Sequence, residues 1–351
     1  MSEPSPIVSF VNVSIVFGDK PQLALPMIDA GKSREEISAE TSQILGVADC
    51  SLDVMQGEIV VLMGLSGSGK STLLRAVNGL NPVIRGETRV AMDDALTQFT
   101  DPAKANRKEL RALRQQRVAM VFQQFGLLPW RSVRDNVGFG LEIAGMDAQA
   151  RRKRVDEQLD LVGLADWGDR QVGELSGGMQ QRVGLARAFA TQAPVLLMDE
   201  PFSALDPLIR DKLQDDLLAL QQTLKRTIIF VSHDLDEALK LGNRIAIMEG
   251  GRIIQTGTAQ DIVLNPASDY VAEFVAHMNP LSVLRAAEVM QPVSDPADIA
   301  AETSIDVATP IGEVMQALTD RKGALGVTED DRLVGQVSMA NVVDALTRKS
   351  R

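Results

Sequence analysis

Short runs of consecutive apolar residues recur along this chain, and the segments between them carry apolar positions at helical spacing among charged ones. The runs at 59–63, 118–122, 195–198 and 228–231 read as strands buried on both faces. Strands that alternate with helices predict a mostly parallel sheet flanked by helices, an α/β fold. Two further runs, 244–248 and 252–255, flank "EGG" and read as a hairpin. From Phe125 to Glu174 the strand signal disappears, and segments such as 151–162 carry dense charge at helical spacing. The region of about 125–180 is therefore expected to form a helical subdomain inserted in the core. After Phe274, "VAHMNPLS" reads as a linker, placed at 277–282, between a first domain over 1–276 and a small separate unit over 283–351. No repeat of roughly 20–50 residues is visible, so a solenoid is not expected.

Length and charge narrow the picture. A chain of 351 residues suits two or three domains. A formal charge of −11 argues against a general nucleic-acid binder, which carries a basic excess. The basic stretches 107–117 and 151–154, mixed with acids at helical spacing, read as solvated helix faces. Cys50, the single cysteine, can form neither an internal disulfide nor a zinc cage, which points to a reducing compartment. No basic-then-apolar leader is visible, and no run approaches the roughly 18 apolar residues of a spanning helix. A cytoplasmic chain is expected, reaching any membrane through a partner.

The candidate chemistry begins at 64–71, "GLSGSGKS", which fits G-x-x-x-x-G-K-[S/T]. A predicted strand precedes it and a helical run over 72–79 follows, the context this motif requires. Around Gly64, Leu65, Ser66, Gly67, Ser68 and Gly69 the backbone N–H groups can converge on a β-phosphate, Lys70 reaches the β- and γ-phosphates, and Ser71 offers a hydroxyl to Mg²⁺. Such a loop alone leaves kinase, GTPase, helicase and transporter ATPase open. In "VLLMDEP", Asp199 ends a predicted buried strand and can bind Mg²⁺ directly or through water. Glu200 comes next and can orient or deprotonate an attacking water.

A second glycine-rich turn, "LSGGMQQR" at 175–182, lies far along the chain. Ser176, Gly177 and Gly178 open a helical pattern whose apolar face holds Val183, Ala186, Phe189 and Ala190. Taken alone, it is an ordinary helix N-cap.

Together these segments, with "SALD" at 203–206 and "VSHD" at 231–234, resemble the ATP-binding cassette family in order over about 8–274. The resemblance implies a P-loop NTPase that binds ATP and Mg²⁺ and works as a head-to-tail homodimer. The signature turn of one copy then closes over the ATP held by the P-loop of the other, which explains two phosphate-ready loops in one chain. It implies further roles: Gln123 of "VFQQF" at Mg²⁺ and the attacking water, His233 at the γ-phosphate, and Asp206 in the loop crossing the interface. Phe17 of "IVFG" is implied to stack on adenine, with Thr72 and Gln180 also among the nucleotide-binding positions.

The insertion at about 19–48, followed by "GVADCSLDV", resembles the ATPase subunits of glycine betaine, proline and choline importers. Those are single cassettes that pair with a separate membrane permease and act with an extracytoplasmic solute-binding protein, so a peripheral location on the cytoplasmic membrane face is implied. The tail, with "EVMQPV" and "GALGVTEDDRLVGQVSMANVVDAL", looks like one CBS-type module. Betaine-importer ATPases commonly carry two, so a single module points toward the choline branch. The alternative is a soluble cassette ATPase acting on nucleic acid or the ribosome.

Overall fold

Three fully buried five-residue strands set the architecture: β3 (Ile59–Met63), β7 (Val195–Asp199) and β8 (Thr227–Val231). In this computed structural model, residues 5–123, 125–203, 205–276, 281, 283–292, 304–319 and 323–347 are described. With β6 (Val118–Val121), β9 (Arg244–Glu249) and β10 (Arg252–Gly257), the three build a six-stranded sheet in the order β10-β9-β3-β8-β7-β6. The pairs from β9 to β6 are all parallel. Parallel strands covered on both faces read as unbroken apolar runs, which is why β3, β6, β7 and β8 were visible in the sequence. The loops after β6, β7, β8 and β3 therefore emerge side by side at the carboxyl edge of one sheet, where ligands of open α/β sheets bind.

A second, antiparallel sheet was not foreseen. It comprises β1 (Val8–Phe17), β2 (Ile44–Val54), β4 (Arg85–Ala91) and β5 (Phe99–Thr100), in the order β2-β1-β4-β5. Register shifts between Phe10 and Val13, and again up to Val16, disturb the pairing of β1 with β2. Asn12 there takes a left-handed backbone, φ 49°. These irregularities remove the strict alternation that marks a half-buried strand.

The insertion between β1 and β2 folds on its own small core. Ala24, Ile28 and Ile37 pack on Val16, Leu45 and Ala48 of the two strands. Its helix Arg34–Thr41 opens with a reciprocal capping box between Ser33 and Glu36.

The expected helical subdomain is present. Helices Val133–Ile143 and Ala148–Leu161 pack with the helix Gly177–Ala190 around Val137, Val155, Leu159 and Val183. One boundary differs from the sequence reading. The helix after the P-loop covers only Lys70–Leu74, and the chain then tightens into i→i−3 bonds from Ala76 and Val77.

By compactness the chain divides into residues up to Ile254 and from Gln255 onward. The helices Ala259–Leu264 and Asp269–Ala276 group with the second unit, where Gln260 Nε2 donates to Val283 O at 3.2 Å. That unit's core, built on Leu284, Ile311, Val314, Val327 and Val337, contains no described residue before Leu281. Its three-stranded sheet, β11 (Ser304–Asp306), β12 (Leu325–Glu329) and β13 (Arg332–Val337), turns at Asp330 and Asp331, both left-handed, as "EDDR" suggested. The expected linker 277–282 lies outside the described residues except for Leu281.

Candidate active site

Asp199, at the buried end of β7, is 1 % exposed. Ser71 Oγ donates to its Oδ1 at 2.6 Å. One helical turn on, Arg75 grips Oδ2 through Nη2 at 2.8 Å and Nε at 3.1 Å. Ser71 and Arg75 converge because residues four apart share a helix face. Arg75 was not anticipated; its only sequence signal is that spacing. Bidentate guanidinium pairing holds this carboxylate in place and neutralised.

Glu200 follows with φ 46°, a left-handed backbone uncommon outside glycine. Its Oε2 accepts from Gln123 Nε2 at 3.1 Å and lies 3.4 Å from His233 Nδ1. Three residues from the ends of three adjacent strands thus meet at one carboxylate oxygen, as the strand order β8-β7-β6 requires. Gln123, predicted at the metal, is here on Glu200. Behind His233, Ser232 donates to the buried Glu237, which also accepts from Gln214 Nε2 at 3.1 Å. Burial pushes the Glu237 carboxyl above the usual range.

Lys70 is 4 % exposed and curls back onto its own loop, with Nζ 2.8 Å from Gly64 O and 3.0 Å from Leu65 O. Burial pulls its ammonium below the usual lysine range, against the charges of Glu200 and Asp199. Gly64, Gly67 and Gly69 all have positive φ, and a Cβ at Gly64 would sit 2.1 Å from Met248 O. A cavity of about 300 Å³ is lined by Phe17, Gly46, Ser66, Gly67, Gly69, Lys70, Ser71, Thr72 and Glu200, with Arg34 of the insertion. Gly46, another residue missed, has no room for a side chain, since its Cβ would lie 2.9 Å from both the Phe17 ring and Thr72.

The residues fit a nucleotide with a divalent cation. Ser68 Oγ is buried without a hydrogen-bond partner in the loop. Among the described residues no cluster of three His, Cys, Asp or Glu forms a metal site by itself. A cation here would draw on Ser71, Asp199 and phosphate oxygens, the hard oxygen donors that suit Mg²⁺. Cys50 takes no part: its thiol is buried and pushed up to about 12.

The second glycine-rich turn does not line this cavity. Ser176 caps the helix Gly177–Ala190 by accepting from Met179 N, and Gln180 Nε2 is spent on Val172 O and Leu175 O, each at 3.1 Å. Asp206 caps the next helix through Ile209 N at 3.1 Å. Farther along the same signature helix, Arg187 reaches back to Gly126 O and Phe125 O, each at 2.6 Å, where both residues are left-handed.

Among known proteins, the family described as "ABC transporter" matches residues 47–203. The chain is 44 % identical to the glycine betaine/proline betaine transport system ATP-binding protein ProV of Escherichia coli, over 96 % of this chain and 82 % of that one. It is 41 % identical to the trimethylamine N-oxide transport system ATP-binding protein TmoW of Ruegeria pomeroyi, over 99 % and 98 % respectively. Its fold matches the dimeric structure of MJ0796, a bacterial ABC transporter cassette, with TM-score 0.59 and 28 % identity over 72 % of this chain and 98 % of that one.

Proposed function

This chain belongs to the ABC transporter family of ATP-binding proteins, and from that premise we propose that it is the ATP-hydrolysing subunit of an importer for a small methylated-amine osmolyte. The observation that carries the reading is the convergence of Ser71, Asp199, Glu200, Gln123 and His233 beside the cavity that Phe17 and the P-loop line. The relatives decide between a transport ATPase and a soluble cassette acting on nucleic acid, because both are named for transport systems.

Lys70 and the N–H groups of the loop hold the β- and γ-phosphates, Thr72 lies beside them, and Phe17 stacks on the adenine. Ser71 and Asp199 would hold Mg²⁺, with Gln123 as a further ligand, and the cation when bound would offset charge that develops on the phosphoryl oxygens. Arg75 would then give up its hold on Asp199. Glu200 takes the proton of the attacking water, and His233, already beside it, reaches the γ-phosphate. Ser176, Gly177, Gly178 and Gln180 serve the ATP of a second copy, across an interface that Asp206 also meets.

A membrane permease is the partner at the segment after Gln123, where Leu127 packs into the helical subdomain while Trp130 stands 73 % exposed. No helix among the described residues is long and apolar enough to cross a membrane. The permease in turn receives its solute from an extracytoplasmic binding protein, and this chain sits peripherally on the cytoplasmic face.

The short tail does not single out choline, because the chain spans 98 % of a trimethylamine N-oxide system's subunit and 82 % of a betaine one. Uptake of labelled glycine betaine, choline and trimethylamine N-oxide in a deletion strain tests the proposal. One of them must depend on this chain, and uptake of all three independent of it would overturn the reading.

The unit over 283–351 is a CBS-like regulatory module that performs none of the chemistry. Truncation after Met278, a residue outside the described set, removes that unit's entire core together with the Val283 acceptor of Gln260. Basal ATPase activity stays largely intact, and the response of transport to ionic strength or an adenine nucleotide changes. Lost hydrolysis in a folded truncation would refute the separation of roles.

A further inference from the structure

Arg34 is the first residue of the insertion's helix, and the capping box at Ser33 and Glu36 fixes where that helix starts. From there its guanidinium reaches the P-loop: Nη1 donates to Gly67 O and Nη2 to Gly46 O. Glycines make the space. A Cβ on Gly69 would stand 3.2 Å from Nη2, and one on Gly251 3.1 Å. Nε is buried with no hydrogen-bond partner, and no described carboxylate forms an ion pair with the group. Burial lowers its affinity for a proton, outweighing the nearby charge of Glu35, which makes no ion pair with it. A partly buried charge left unneutralised is destabilising, and the cavity it lines is shared with Gly67, Gly69, Lys70 and Ser71.

We infer that Arg34 is a nucleotide-binding residue supplied by the insertion, a second fixed cation whose counter-charge is the polyphosphate of the bound nucleotide. The inference rests on the nucleotide site proposed above. It also gives the insertion a task in the site: its packed core and capped helix hold one guanidinium at the loop. Charge-assisted contacts to phosphate are about twice as strong as neutral ones, so removing the charge has a measurable effect on affinity.

The test uses the full chain and a fluorescent ATP analogue, with ADP in competition. Arg34→Gln, which keeps a donor but no charge, weakens both nucleotides about tenfold, equivalent to about 1.4 kcal/mol. Arg34→Lys restores most of the affinity. KM for ATP rises with Kd, while kcat at saturating ATP stays within about twofold, the mark of a lost uniform-binding contact. The melting temperature without nucleotide is not lowered in either variant. Wild-type affinity in Arg34→Gln overturns the inference. So does a loss that Lys does not restore and that follows a lowered melting temperature. A Lys70→Ala chain that binds ATP as well as the wild type would instead sink the nucleotide site itself.

Discussion

Glu200→Gln retains ATP and loses hydrolysis by about 10²–10⁴-fold, the range for removing a general base. The amide keeps the size of the side chain and can still meet Gln123 and His233, which lie 3.1 Å and 3.4 Å from Oε2. It cannot accept a proton from water. The left-handed backbone that aims the side chain is independent of its charge, so the fold at the end of β7 is kept. Because closure needs only bound nucleotide, the variant accumulates as an ATP-bound dimer. Phosphate release and gel filtration with ATP check both halves, and wild-type turnover would remove Glu200 from this role.

A mixture of Lys70→Ala and Gly177→Asp chains hydrolyses ATP although each parent alone is reduced about a hundredfold or more. If each site joins the P-loop of one copy to the signature turn of the other, a mixed pair gathers both defects in one site and leaves its second site whole. Gly177 is the right probe within this turn. Its Cβ would meet only Leu205 Cδ2, at 3.9 Å, so a side chain fits within one copy and harms only what approaches from outside. Gly178 fails that criterion, since its Cβ would lie 2.8 Å from Ile209. Steady-state rates of the mixture against both parents give the answer. A mixture no faster than its parents would mean that the sites are unshared or strictly coupled.

The central sheet was legible because a strand covered on both faces has to be apolar throughout, and turn residues or charges close each run. The residues that meet around Glu200 were reached in two ways. Asp199 ends such a strand and Glu200 follows it, so finding the strand located both, whereas Gln123 and His233, two residues past β6 and β8, were placed only by the family resemblance. The antiparallel sheet escaped because its bulges break the two-residue period, and the nucleotide cavity needs that sheet for Phe17 and Gly46. Arg34 and Arg75 lie in no motif. Their roles depend on which loops the fold brings beside them.

Arg187 makes the helix it sits on a lever. Its guanidinium holds the carbonyls of Phe125 and Gly126, so a pull applied near Trp130 is carried directly into the helix that begins at Gly177. Under the proposed function, the segment facing a membrane partner and the turn facing a second copy are joined through this one helix, so a displacement of residues 125–126 bears on the helix that opens at Gly177.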